Sequence, residues 1–223
     1  IVIIVHGLFP NGKCKPESNL IASLLIQQKI NALTIDLRNY GQSDTVSKYE
    51  NLGLRSYNDV LGAFDFLKQI GFTADQIGLL GISLGGSTAI FAAAYEPTIK
   101  AIWTDSTLAE FNLILKDEIA RYGMPNIFGP VVSLVGQMLT GIDPSDLSPA
   151  YKLTSSQSYY ITHGQKDKRV PVHHFEFFQN FISKNNIEAD FWLIPDAYHV
   201  DAMLKYPNEY SQKMKQFFEE NLK

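Results

Sequence analysis

Residues 78–88 read Gly78-Leu79-Leu80-Gly81-Ile82-Ser83-Leu84-Gly85-Gly86-Ser87-Thr88. A β-rich apolar run, Gln76 to Leu80, enters this stretch, and a small-residue helical run, Ser87 to Tyr95, leaves it. A chain passing from strand to helix through Gly-x-Ser-x-Gly must reverse within one tight turn. That holds Ser83 in a strained backbone conformation with its hydroxyl exposed. Gly81 and Gly85 permit the reversal, because a Cβ at either place would collide where strand and helix nearly touch. Alone, the pentapeptide also fits a Gly-rich turn in any α/β domain, so its meaning depends on its partners.

Downstream, a β-rich run from Ser158 to Thr162 is followed by His163-Gly164-Gln165-Lys166-Asp167-Lys168-Arg169-Val170-Pro171. Another, Ala189 to Ile194, leads into Pro195-Asp196-Ala197-Tyr198-His199. Asp167 and His199 therefore each follow a strand, at the sheet edge where Ser83 emerges. A serine hydroxyl is a poor nucleophile until a base takes its proton. Histidine titrates near neutrality and suits that task, and an aspartate can orient the ring and stabilise the imidazolium. Serine, then acid, then histidine is the chain order of the α/β-hydrolase template. We read Ser83, Asp167 and His199 as the candidate catalytic residues.

The rivals are weaker. Of five histidines, His6 and His163 precede a glycine directly after a strand and read as structural, their rings bonding backbone. His173 and His174 open a helix-like stretch after Pro171 and read as surface residues. Asp105 also follows a strand, Ala101–Thr104, and is the alternative acid. Asp167 is preferred because its turn precedes the histidine's strand. Asp196 and Asp201 stand too close to His199 in sequence to orient it.

An attacked carbonyl needs donors for its oxyanion. The template takes one N–H from the residue after the nucleophile, here Leu84, and one from the loop after an earlier strand. The run Ile1–Val5 followed by His6-Gly7-Leu8-Phe9 supplies that loop, with Leu8 as second donor. Leu8, Phe9 and Leu84 would then line an apolar pocket floor suited to an acyl or uncharged group.

The 223 residues fit one domain, 1–223, with a large core. Hydrophobic residues make up 45%, charged 19% and aromatic 12%, which argues against a disordered chain. A net charge of -4 with scattered basic residues gives no reason to expect nucleic-acid binding. The single cysteine, Cys14, excludes an intramolecular disulfide and a cysteine-rich metal site, which suits a reducing compartment and favours a cytoplasmic address. No apolar run is long enough to span a bilayer. The chain opens on Ile1 inside a strand-like run, so we expect a longer protein that has lost its front end, with any signal or anchor.

Apolar strands alternate with helical stretches, which predicts an α/β fold: a mostly parallel sheet covered on both faces. The strands are Ile1–Val5, Ala32–Ile35, Gln76–Leu80, Ala101–Thr104, Ser158–Thr162 and Ala189–Ile194. Ser18 is expected to cap a helix reaching Ile30, another helix spans Ser56 to Ile70, and a last one Asn208 to Leu222. Residues 107–153 break the rhythm with two helices, about Leu108–Tyr122 and Ile127–Thr140. This helical insertion is either a lid over the site or two further packing helices.

The set His6-Gly7, Asp36-Leu37-Arg38-Asn39-Tyr40-Gly41-Gln42-Ser43, Gly81-Ile82-Ser83-Leu84-Gly85, His163-Gly164-x-x-Asp167 and Tyr198-His199 resembles the α/β-hydrolase superfamily along almost the whole chain. Trp103-Thr104-Asp105-Ser106 and the 163–171 segment look like bacterial serine hydrolases of the prolyl-oligopeptidase-like and serine-aminopeptidase-like group. The resemblance implies esterase or peptidase activity, no cofactor, no metal and the triad above. It also implies that Asp36–Ser43 is a structural turn braced by Arg38 and Asp44. Two antiparallel strands usual at the front of that family have no counterpart before Ile1.

Three functions stay open. The first is hydrolysis of a carboxylic ester through an acyl-enzyme on Ser83; the second is peptidase, thioesterase or acyltransferase chemistry with the same residues. The third is a non-catalytic binding protein on a hydrolase scaffold, against which the presence of all three residues argues. A peptidase recognising a free amino terminus would want paired acids, and Glu110, Asp117 and Glu118 are candidates that otherwise read as a solvated helix face. The partner is a small acyl ester or short peptide; the sequence does not indicate an oligomeric state.

Overall fold

The computed structural model describes residues 1–8, 16–46 and 53–223. Six strands, β1 (Val2–Val5), β2 (Ala32–Ile35), β3 (Gly78–Ile82), β4 (Ala101–Asp105), β5 (Ser158–Gly164) and β6 (Ala189–Ile194), form one sheet in the order β2-β1-β3-β4-β5-β6. Every neighbouring pair is parallel. Among the described residues eight α-helices accompany them: α1 (Pro16–Gln27), α2 (Tyr57–Gln69), α3 (Leu84–Tyr95), α4 (Phe111–Arg121), α5 (Gly129–Thr140), α6 (His173–Asn185), α7 (Ala202–Lys205) and α8 (Pro207–Asn221).

Side chains alternate across each strand, and both faces are apolar, so both must be covered. Ile3, Val5, Leu79 and Ile102 face Val60, Phe64 and Leu67 of α2, Ala89 and Ile90 of α3, and Phe175 and Phe178 of α6. Val2, Ile4, Leu80 and Trp103 face Ile21 and Leu25 of α1 and Tyr210, Met214 and Phe217 of α8. Trp103 stacks on Tyr160 of the next strand at 3.8 Å between ring centres, and Tyr210 and Phe217 close around it. The order reverses direction between β1 and β3, and in open parallel sheets ligands bind beyond the strand ends at such a switch. Ser83 follows β3 there.

Several expectations shift. The third strand starts at Gly78 because Ala74–Gln76 forms a 3₁₀ turn, closed by Thr73 N–H donating to Gln76 Oε1 at 3.0 Å. Ser18 does not cap α1: it lies within the helix, fully buried, its hydroxyl unpartnered among the described residues. Helix α4 begins at Phe111, where the Glu110 carboxylate accepts from Leu113 N–H at 3.0 Å and fixes the start. Arg38 braces its turn by pairing with Asp59 of α2 at 2.7 Å, while Asp44 contributes its carbonyl to Asn39 N–H.

Within the insertion, residues 122–142 carry no charge. Only Gly129 of α5 is buried, and Val131, Leu134, Met138 and Leu139 lie open to solvent. No helix among the described residues is long and apolar enough to cross a membrane.

Candidate active site

The turn after β3 forces Ser83 to φ +52° and ψ -117°, a conformation L-residues avoid. A side chain at Gly81 would strike the Gly85 carbonyl, and one at Gly85 the carbonyls of Val5 and His6. The turn is pinned by Ser83 N–H donating to Asp105 O at 2.8 Å and Gly86 N–H to Ser83 O at 3.0 Å. Its outcome is a serine hydroxyl held at the sheet's rim.

His199 Nε2 lies 3.0 Å from Ser83 Oγ, and His199 Nδ1 lies 2.7 Å from Asp167 Oδ2. The structure thus gathers the three residues singled out from the sequence into one line of hydrogen bonds. The Asp167 carboxylate is sealed from solvent, and its other oxygen accepts from the N–H groups of Arg169 and Val170 at 2.7 and 2.9 Å. With Oδ1 taken, Oδ2 is left for the imidazole. His163 supports this turn: its Nε2 donates to Val170 O at 2.8 Å, and burial holds its pKa below the ordinary value, so the ring stays neutral. His6 is likewise structural. Its Nε2 accepts from Leu37 N–H at 3.1 Å, which puts the ring proton on Nδ1, facing Gly7 O at 2.7 Å.

The His199 loop presses on the acid turn: a Cβ at Gly164 would meet the carbonyls of Ala197 and Tyr198. Lys166 N–H donates to Ala197 O at 2.9 Å, tying the two turns together.

Leu84 is the first residue of α3, where a backbone N–H lacks an intrahelical acceptor. Gly7 packs against Ser83, a Cβ there falling 3.3 Å from that of Ser83, and Leu8 follows it in the chain. Leu8 is partly exposed, whereas the Leu84 side chain is buried. Phe9 and Cys14 lie outside the described residues.

Asp105, the rival acid, is fully buried at the end of β4, held by the hydroxyls of Ser106 at 2.8 Å and Tyr210 at 3.0 Å. Burial pushes its carboxyl up to about 6, against the pull of those two donors. Neither oxygen takes the His199 ring as a partner.

His174 corrects its sequence reading as a surface residue. It is fully buried, because α6 turns it beneath the insertion. Ala109 N–H donates to His174 Nδ1 at 3.0 Å, and Asp117 Oδ2 sits 2.9 Å from His173 Nε2 and 3.2 Å from His174 Nε2. These three side chains have the types and spacing of a metal site. A metal on His174 Nε2 would require a proton on Nδ1, where the Ala109 N–H already points. The arrangement fits a hydrogen-bonded cluster better than a metal site. The acids of the insertion are engaged too: Glu118 pairs with Arg169 and Arg121, and Glu110 caps α4. Leu108 and Ile114 pack on Val170. Sequence reasoning missed this grip of α4 on the acid turn, since its partners lie about fifty residues apart. A cleft of about 660 Å³ between α4 and α5, lined by Asn112, Lys116, Ser133 and Gln137, includes none of the three gathered residues.

Residues 21–223 match the prolyl oligopeptidase family. The chain belongs to that family. The membership supports a serine hydrolase of the α/β-hydrolase type, with ester and peptide substrates both open. Among curated relatives, an acyltransferase of Aspergillus calidoustus is 37% identical over 100 residues, 44% of this chain and 32% of the relative. A thiohydrolase of Aspergillus aculeatus is 33% identical over 90 residues, 40% of this chain and 28% of the relative. The matches thus span about a third of each relative's length. Among solved structures, an esterase of Pyrococcus furiosus superposes with a TM-score of 0.76 at 20% identity, covering all of this chain and 83% of that one. An acylaminoacyl peptidase of Pyrococcus horikoshii gives 0.74 at 18%, covering all of this chain and 37% of that one. At such identities the likeness establishes a shared fold.

Proposed function

We propose that this family member hydrolyses carboxylic esters through an acyl-enzyme on Ser83. The observation that carries the reading is the Ser83–His199–Asp167 line, with contacts of 3.0 and 2.7 Å. His199 Nε2 takes the hydroxyl proton as Ser83 Oγ bonds to the carbonyl carbon, and Asp167 stabilises the imidazolium. The oxyanion is received by the N–H groups of Leu84 and Leu8. His199 then returns the proton to the departing alkoxide, leaving an acyl-serine. Water repeats the cycle: its proton goes to His199, its oxygen to the acyl carbon, and Ser83 leaves reprotonated.

Ester cleavage is preferred over aminopeptidase action because Glu110, Asp117 and Glu118 are engaged in a cap, a histidine cluster and an arginine pair. All three already have partners of their own. The acyltransferase and thiohydrolase matches favour one further reading, transfer from a thioester through the same acyl-enzyme. Labelling the purified protein with a fluorophosphonate probe tests the core of the proposal, and lack of labelling at Ser83 refutes it. Turnover of nitrophenyl esters of graded acyl length, thioesters and aminoacyl amides then ranks the leaving groups.

A further inference from the structure

We propose that Asp105, acting through Ser106, is a positioning residue that holds the His199 loop in its working conformation. Resting on the function proposed above, this role begins with strain. Val200, next to the histidine, has φ +57°, and a β-branched side chain makes that conformation an outlier. Ser106 stands opposite at φ +55°. Two such residues persist only where the surroundings over-determine them.

What links them is a chain of hydrogen bonds, while Ser106 N–H donates to Thr162 O at 2.9 Å. Val200 N–H donates to Ser106 Oγ at 3.0 Å, and Ser106 Oγ–H donates to Asp105 Oδ1 at 2.8 Å. The serine hydroxyl has one proton. Because Asp105 receives it, a lone pair is left facing Val200 N–H. Tyr210 of α8 donates to the other carboxylate oxygen at 3.0 Å and fixes the rotamer. Asp105 also accepts at its backbone oxygen from Ser83 N–H at 2.8 Å. One buried residue therefore anchors the backbone on both sides of the Ser83–His199 contact while touching neither reacting group with its carboxylate. The charged or titratable groups facing it are Tyr210 from α8, His199 from the loop after β6 and Asp167 from the turn after β5. Burial raises its pKa, and a neutral carboxyl still keeps an oxygen for the Ser106 hydroxyl, so the contact does not depend on the charge of Asp105.

The test measures kcat and KM for p-nitrophenyl acetate between pH 5 and 9 in wild type, Ser106→Ala, Asp105→Ala and Asp105→Asn. The ring C–H resonance of His199, assigned by its loss in His199→Asn, is followed alongside. Ser106→Ala and Asp105→Ala are expected to lower kcat about tenfold with KM within twofold, and to move the His199 resonance, as expected for a lost hydrogen bond. Asp105→Asn keeps an oxygen for Ser106, so it should stay within threefold of wild type at pH 8 with the His199 resonance in place. Unchanged kcat and an unmoved resonance in Ser106→Ala overturn the proposal. So does a loss of 10³-fold or more in Asp105→Asn, which would make Asp105 the triad acid. Should the alanine variants fail to fold, Ser106→Cys decides, because its thiol is a weaker hydrogen-bonding group: a lowered kcat with a moved His199 resonance supports the proposal, and no change in either overturns it. Absence of wild-type turnover refutes the hydrolase reading, and the resonance still reports on the positioning role.

Discussion

Arg121 donates from one guanidinium nitrogen to the carbonyls of both Lys168 and Arg169, at 3.0 and 2.7 Å. Helix α4 of the insertion is thereby fastened to the turn that presents Asp167, and Glu118 reinforces it by pairing with Arg169. Replacing Arg121 by alanine removes two charge-assisted bonds that are partly solvent-exposed, worth about 1 kcal/mol together after screening. We expect kcat for a short ester to fall about threefold to tenfold with little change in melting temperature. An unaltered kcat would show that the acid turn holds its shape without the insertion.

Ser83→Ala should abolish fluorophosphonate labelling and lower ester turnover by at least about 10³-fold. Its melting temperature should match wild type within about 2 °C, since the hydroxyl contributes one hydrogen bond to a residue already strained. Residual turnover at wild-type levels would move the nucleophile elsewhere.

Asp167→Asn should cost about 10⁴-fold in kcat, because an amide can present its N–H to His199 Nδ1 and favour the wrong tautomer. The variant should remain folded, as the oxygen accepting from Arg169 and Val170 can be kept. Circular dichroism together with steady-state kinetics checks both halves of the expectation.

Asp105 should leave a mark on stability. Its carboxyl titrates at about 6 in the folded chain against 3.8 ordinarily. As pH rises from about 4 to about 6, the unfolded chain has lost a proton that the folded chain still binds. Stability therefore falls through that window. Asp105→Asn removes this penalty and should gain on the order of 2 kcal/mol over wild type at pH 8 relative to pH 4. Urea unfolding at the two pH values measures the difference, and a relative loss at pH 8 would contradict it.

His174 works in the opposite sense. Burial and the neighbouring His173 hold it neutral down to about 4, against 6.5 ordinarily. The unfolded chain takes up a proton as pH falls through 6.5, and the folded chain does not, so stability present above 6.5 drains away toward 4. His174→Phe should flatten that decline, at a constant cost of about 1–3 kcal/mol for the orphaned Ala109 N–H. Unfolding free energies at pH 7.5 and 4.5 provide the comparison; an equally steep fall in the variant would exclude His174 as its source.

The parallel sheet was legible because its strands are short apolar runs between turn residues, and Ala32–Ile35 and Ala189–Ile194 have the bounds read from sequence. The sharp turn at Ser83 could be read for a similar reason: only glycine fits at 81 and 85. Local hydrogen bonding was harder to see, as with the 3₁₀ turn that delays β3 and the Glu110 cap that shortens α4. Long-range pairing left no trace in sequence. His174 reads as surface until Ala109 and Asp117 arrive from 65 and 57 residues away, and the Ser106–Val200 bond spans 94.

The stack of Trp103 on Tyr160 gives the protein a built-in optical reporter. Trp103 is wholly shielded between sheet and α8, while Trp192, on the edge strand, is partly open to water beneath the Lys213 ammonium. A collisional quencher such as acrylamide will reach the second indole and spare the first, so the emission left at high quencher follows the intact interior alone. Loosening of α8 would then register as a red-shifted, newly quenchable signal, in a chain free of dyes or tags.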